Sequence, residues 1–152
     1  SSSGYGMNSY PNVETQPDDC LNPYSASKVA AEKFCKMYTD LYGLKTVVFR
    51  YFNVYGERSP VFGQYAPVIG IFLKQKNEGQ PLTIVGDGSQ RRDFIHVKDV
   101  AAANILAATA DIPEEYYGQV FNIGSSDSIS IQEIANLISD DQVYIPKREM
   151  ID

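Results

Sequence analysis

Asn22 to Tyr42 reads as one long helix, and the apolar run Thr46-Val47-Val48-Phe49 follows after only Gly43, Leu44 and Lys45. A helix leading so directly into a β-branched and aromatic run is half of a β-α-β unit, which restricts the fold to α/β with parallel strands. Asn22 suits the N-cap, and Pro23 suits the first helical position, where its missing N–H costs nothing. Ala30, Phe34, Tyr38 and Leu41 recur at close to helical spacing and predict the core-facing stripe, while Gly43 supplies the stop. Thr46 to Phe49 then predicts a strand buried on both faces of a sheet.

The remaining chain alternates in the same way. Residues 7–22 hold Asn8, Pro11, Asn12, Pro17, Asp18 and Asp19 and read as a loop. After a loop over 57–65, a helix is expected from Ala66 or Pro67 to Asn77, ended by Gly79. Leu82 to Val85 is a strand, Gly86 to Ser89 a turn, and Asp93 to His96 another strand. Residues 98–109, rich in alanine, form a third helix. Gln119 to Ile123 and Ser128 to Ile131 are strands. Ser130 with Glu133 is a capping box opening a last helix to about Ser139, and Val143 to Ile145 is a final strand.

Composition narrows the function classes. Hydrophobic residues make up 43% and charged residues 21%, as in ordinary globular domains. A net charge of −6 with no basic run argues against a nucleic-acid surface. No apolar stretch nears the roughly 20 residues of a membrane span, and no signal segment is seen, so a cytoplasmic setting is expected. Cys20 and Cys35 are too few for a disulfide framework or zinc site and are expected to be reduced thiols; no metal is expected.

The chemistry is expected at Tyr24 and Lys28. Positions i and i+4 share a helix face, so the ammonium can lie beside the phenol. A phenol titrating near ~10 is a poor base at neutral pH, but an adjacent positive charge favours the phenolate and fits it for taking a hydroxyl proton. The spacing alone is a weak signal, and a solvent-exposed pair would look the same. Its context adds information: Pro-Tyr-Ser-Ala-Ser-Lys opens a helix, Arg50-Tyr51-Phe52-Asn53-Val54-Tyr55-Gly56 follows a strand, and Gly86-Asp87-Gly88-Ser89-Gln90-Arg91-Arg92-Asp93-Phe94-Ile95-His96-Val97 lies downstream. Asn53 and Gly56 fall just past a strand end, where open α/β sheets place their ligand crevice.

In order and spacing, these motifs resemble the extended short-chain dehydrogenase/reductases that act on nucleotide sugars, most closely the sugar 4-epimerases, from Ser1 to about Ser139. The resemblance implies the C-terminal portion of a Rossmann-type doubly wound parallel sheet with an interleaved small α/β substrate lobe. It places the later NAD-binding domain with the catalytic helix in residues 1–56, the substrate lobe in 57–95 and 125–152, and a return to the Rossmann domain in 96–124. It also implies NAD as cofactor, a UDP-sugar substrate and a homodimer.

The same resemblance assigns roles. Tyr24 becomes the acid/base on a sugar hydroxyl and Lys28 the holder of the nicotinamide ribose. Ser1, four residues before Tyr5, completes the catalytic triad, and Phe52 lies beside the nicotinamide. Asn53 binds the nucleotide sugar, Arg92 grips its diphosphate, and Val68, Thr83 and Val85 line the uracil pocket. Arg148 matches a second diphosphate-binding Arg, although Met150 and Ile151 replace the glycine and acid that follow in the family. His96 reads as structural. Dehydratases of the family carry Asp-Glu after the catalytic hydroxyl; Ser2 and Ser3 stand there, and a hydroxyl is a poor acid for expelling water, which favours epimerisation through a 4-keto intermediate. A dehydratase or reductase, or a non-catalytic interaction remnant, are the alternatives. No Gly-x-Gly-x-x-Gly opens a helix, so the chain reads as a piece lacking a Gly-rich NAD-binding half and is expected to be inactive alone.

Overall fold

Asn22 caps the first helix, α1 (Pro23–Tyr42), through a reciprocal pair: its side chain accepts from the Ser25 N–H at 2.9 Å and its own N–H donates to Ser25 Oγ at 3.3 Å. Gly43 ends α1 at φ 66°, a left-handed conformation open to glycine, with its N–H donating to Thr39 O. The computed structural model describes residues 1–61 and 66–146, and across them the chain is α/β. The face that α1 buries differs from the expected stripe. Ser25, Val29 and Glu32 are buried, while Phe34, Tyr38 and Leu41 are at least half exposed. Small and polar residues take the inward face because Ser25 serves the helix cap, the N-terminal turn packs closely on Val29, and Glu32 meets a buried charge.

That strand, β1 (Val48–Tyr51), starts two residues later than expected. Thr46 belongs instead to the connection, where its hydroxyl bonds Thr39 Oγ1 at 2.7 Å and donates to Cys35 O at 3.2 Å. β1 pairs in parallel with a later strand (Val120–Ile123), Val48 opposite Val120 and Tyr51 opposite Ile123. Successive side chains point to opposite faces. Arg50 accordingly reaches Glu32 of α1, and Tyr51 reaches Asn104 of another helix (Val97–Thr109) at 3.0 Å. The strand thus has a helix on each side, yet Arg50 is its one fully buried residue and the rest are half-buried.

The chain divides into two compact units: Ser1–Phe52 with Asp99–Ile123, and Asn53–Lys98 with Gly124–Asp152. In the second, Asn53 opens a strand of its own, β2 (Asn53–Tyr55), where a strand end was expected. In chain order follow α2 (Val68–Asn77), β3 (Leu82–Val85), β4 (Arg91–Arg92), β5 (Phe94–His96), α3 (Val97–Thr109), β6 (Val120–Ile123), β7 (Ile129–Ser130), α4 (Ile131–Ile138) and β8 (Gln142–Ile145). β2 pairs with β5 and β3 with β8, both parallel, and β4 pairs with β7 antiparallel. The core of this unit is Phe72, Leu82, Ile84, Ile131, Ile134 and Ala135, where α2 and α4 meet β3. Ser130 and Glu133 form the expected capping box at the start of α4.

Candidate active site

Tyr24 and Lys28 sit in the first turns of α1, both exposed, with the Lys28 ammonium 5.3 Å from the centre of the Tyr24 ring. The capping box upstream sets the helix start, so the pair is held by local backbone geometry and keeps one accessible face. Ser27 Oγ donates to the Tyr24 carbonyl at 2.7 Å, tying the same turn. Ser1 caps a short 3-10 turn (Ser2–Tyr5): its Oγ accepts from the Ser3 N–H at 3.3 Å and lies 2.9 Å from Ser3 Oγ. That turn docks tightly on α1. A Cβ on Gly4 would come within 2.9 Å of Val29 Cγ2, so glycine permits the approach. Phe52 is half-buried, its N–H donating to Ile123 O and its ring 6.4 Å from that of Tyr5.

Beneath this face lies a charge cluster that the motif reading passed over. Arg50 is 3% exposed and forks onto Glu32, itself 6% exposed: Nε donates to Oε1 at 3.0 Å and Nη2 to Oε2 at 2.6 Å. Nη2 also donates to Asp18 Oδ1 at 2.8 Å, and Lys33 pairs with the other oxygen of Asp18 at 2.7 Å. The fully buried Tyr5 ring packs 4.6 Å from the guanidinium, and its hydroxyl donates to Asn122 Oδ1 at 2.7 Å. Burial opposes the charge on Arg50, but the Glu32 carboxylate, which accepts its hydrogen bonds, and the adjacent Tyr5 outweigh it and hold its pKa above the ordinary value. For Asp18 partial burial works the other way from Lys33 and Arg50, and these two cations hold its carboxyl below the usual range. Breaking such a buried pair by removing one partner costs about 3–5 kcal/mol. The signal in the sequence was a lone Arg inside Thr-Val-Val-Phe-Arg-Tyr-Phe, since a charge within an apolar strand needs a partner.

In the second unit, Asn53 Nδ2 donates to Asp93 O at 2.9 Å, next to Arg92. Asp93 was also passed over. Its carboxylate accepts from the Ser125 N–H and hydroxyl, both at 2.8 Å, and from the Ser126 N–H at 3.1 Å, which fastens the chain after β6. Arg92 is exposed, its Nη1 donating to Arg91 O at 3.0 Å. Val68 packs against the core cluster at the start of α2. Thr83 is engaged by Gln75, which donates to its hydroxyl at 2.8 Å and accepts from its N–H at 3.1 Å, and Val85 is half-buried opposite Ile145. Arg148 lies outside the described residues. His96 makes a T-shaped contact with Tyr55 at 5.2 Å, and its Nδ1 accepts from the Lys98 N–H at 3.2 Å.

The chemistry of the exposed donors fits one end of a dinucleotide. A phenol and an ammonium side by side can hydrogen-bond ribose hydroxyls, but the sequence offers no Gly-rich turn for a pyrophosphate.

Residues 1–124 match the NAD dependent epimerase/dehydratase family. A UDP-glucose 4-epimerase of Mycolicibacterium smegmatis is 36% identical over 130 residues, 86% of this chain and 40% of that protein. The structure of a UDP-N-acetylglucosamine 4-epimerase from Methanobrevibacter ruminantium M1, in complex with UDP-N-acetylmuramic acid, superposes with a TM-score of 0.89 at 38% identity, over 98% of this chain and 49% of that one. A UDP-glucuronic acid 4-epimerase from Bacillus cereus, in complex with UDP-glucuronic acid and NAD, does so with a TM-score of 0.82 at 29% identity, over 97% and 46%. The chain therefore spans less than half the length of these proteins, and their Rossmann-type fold is its own. It belongs to the NAD-dependent epimerase/dehydratase family.

Proposed function

We propose that the protein carrying this chain epimerises a UDP-sugar at C4, with Tyr24 as the acid/base. The observation that carries the reading is the exposed Tyr24 phenol one turn from Lys28, on a helix whose start is set by the Asn22–Ser25 box. Tyr24 takes the proton of the sugar 4-hydroxyl and later returns one to the same oxygen. Lys28 holds positive charge over the ring and hydrogen-bonds the nicotinamide ribose. Ser1 donates to the sugar oxygen as charge develops on it, and Phe52 lines the nicotinamide side. When bound, NAD supplies the acceptor and donor of the C4 hydride, so it is recycled. In the second unit, Asn53 binds the nucleotide sugar, Arg92 and Arg148 hold its diphosphate, and Val68, Thr83 and Val85 border the uracil. The first unit is then the cofactor side and the second the substrate side. The exposed Phe34, Tyr38 and Leu41 on α1 support a homodimer through that helix. A cytoplasmic location belongs to the same reading, with Cys20 and Cys35 both free thiols.

The test is Tyr24→Phe in the full-length protein with UDP-sugars as substrates. Turnover is expected to fall at least ~10²-fold with little change in substrate binding, since a proton acceptor goes and the ring stays. Near-normal turnover overturns the role of Tyr24. Net water loss or net NADH formation by the wild-type protein would make the reaction a dehydration or an oxidation.

A further inference from the structure

We infer that Arg50 is a positioning residue for this site, registering the separate chain segments that carry Ser1, Tyr24 with Lys28, and Phe52. The inference rests on the reading of Tyr24 as the acid/base. Glu32 lies one turn beyond Lys28 on α1, so the Arg50–Glu32 fork fixes that helix from its buried side. Arg50 lies two residues before Phe52, so the same side chain fixes the end of β1. Tyr5, packed on the guanidinium, belongs to the turn that Ser1 caps, and Asp18 ties in the loop that leads to α1. One planar cation thereby meets each segment of the candidate triad.

Stability alone does not account for the arrangement. A buried ion pair is often no better than apolar residues of equal volume, and this one leaves Arg50 Nη1 buried without a hydrogen-bond partner among the described residues. What apolar packing cannot supply is direction: a bidentate fork sets angle and register, while methyl groups slide. A proton transfer demands that register, since a displacement near ~1 Å can cost on the order of 10²-fold in rate.

The experiment compares Glu32→Gln, Arg50→Lys and Arg50→Met in the full-length protein, with Tyr24→Phe alongside and melting curves on every sample. Glu32→Gln and Arg50→Met are expected to lower kcat by about 10-fold or more with KM for the sugar nucleotide changed less than about threefold. Arg50→Lys keeps the charge and loses the fork, so it recovers part of that loss. If Arg50→Met does not fold, Glu32→Gln and Arg50→Lys decide. Wild-type kcat in them, or a loss of activity that only follows the unfolded fraction, overturns the inference. Full turnover by Tyr24→Phe would instead overturn the chemistry itself, and an inactive Tyr24→Phe beside a normal Glu32→Gln removes only the role of Arg50.

Discussion

Asn53 and Arg92 are both proposed to hold the nucleotide sugar, Arg92 at its diphosphate, and single substitutions separate them. Asn53 already spends one amide hydrogen on Asp93 O, inside the β2–β5 pairing, so Asn53→Ala is expected to cost fold stability as well as ligand affinity. Arg92 is exposed and bonds only its neighbour's carbonyl among the interactions described, so Arg92→Ala is expected to leave melting unchanged. Both are expected to weaken binding of a UDP-sugar by roughly 10-fold or more, on the scale of a lost hydrogen bond to a charged group. Arg92→Lys is expected to restore only part, since an ammonium does not grip a diphosphate with two parallel donors. Calorimetric titration with the nucleotide sugar checks both, and unchanged affinity in both removes the proposed substrate site. Asn53 and Arg92 are proposed from their motifs. The role of Asp93, which fastens the chain at Ser125 and Ser126, was not legible in the sequence, because its partners lie more than thirty residues away.

Among the elements, α4 is the one whose start can be tested through pH. The Ser130 backbone N–H donates to the Glu133 carboxylate at 2.7 Å, and Ser130 Oγ accepts from the Glu133 N–H at 3.1 Å. The Ser130 N–H first, then its hydroxyl and Arg91, hold the Glu133 carboxyl below its ordinary range. A carboxyl lowered in the folded state stabilises above its unfolded value, near ~4.3, and that contribution is lost as pH falls through the lower folded value. Glu133→Gln is therefore expected to lower stability at pH 7, where the parent has the full contribution, and to flatten the loss on acidification, so that the two converge below the lower folded value. Ser130→Ala is expected to cost about 1 kcal/mol at neutral pH, the usual loss of an N-cap. Hydrogen exchange of the α4 amides across pH 3 to 7 reads both. An acid dependence in Glu133→Gln equal to that of the parent would show that Glu133 is not its source.

At the scale of the whole molecule, the 152-residue chain alone is expected neither to bind NAD at micromolar concentration nor to epimerise a sugar. In the proposed role Tyr24 and Lys28 answer only the ribose end of a dinucleotide, and the sequence contains no Gly-x-Gly-x-x-Gly turn at a helix start. Phe34, Met37, Tyr38, Leu41 and Tyr42 lie exposed along α1, which invites association. Calorimetric titration with NAD, repeated after co-expression with the N-terminal half of a homologous epimerase, checks this. Micromolar binding by the chain alone would overturn it.

Local sequence determined what depends on neighbours within a turn or two: the Asn22 and Ser130 caps, the Gly43 stop, the helical spacing of Tyr24 and Lys28, and the α/β alternation. These follow from hydrogen bonds that close over a few residues. Only the tertiary structure decided which face of α1 is buried, because burial depends on what arrives from elsewhere. The partner that arrived for Glu32 was Arg50, eighteen residues away, on a face of small and polar residues that also buries Ser25 and Val29. Tyr5 meets Asn122 across 117 residues, a contact no local pattern encodes. The adjacency of Tyr24 and Lys28 was readable from their spacing, whereas the buried charge beneath them became visible once strand, helix and N-terminal turn were brought together.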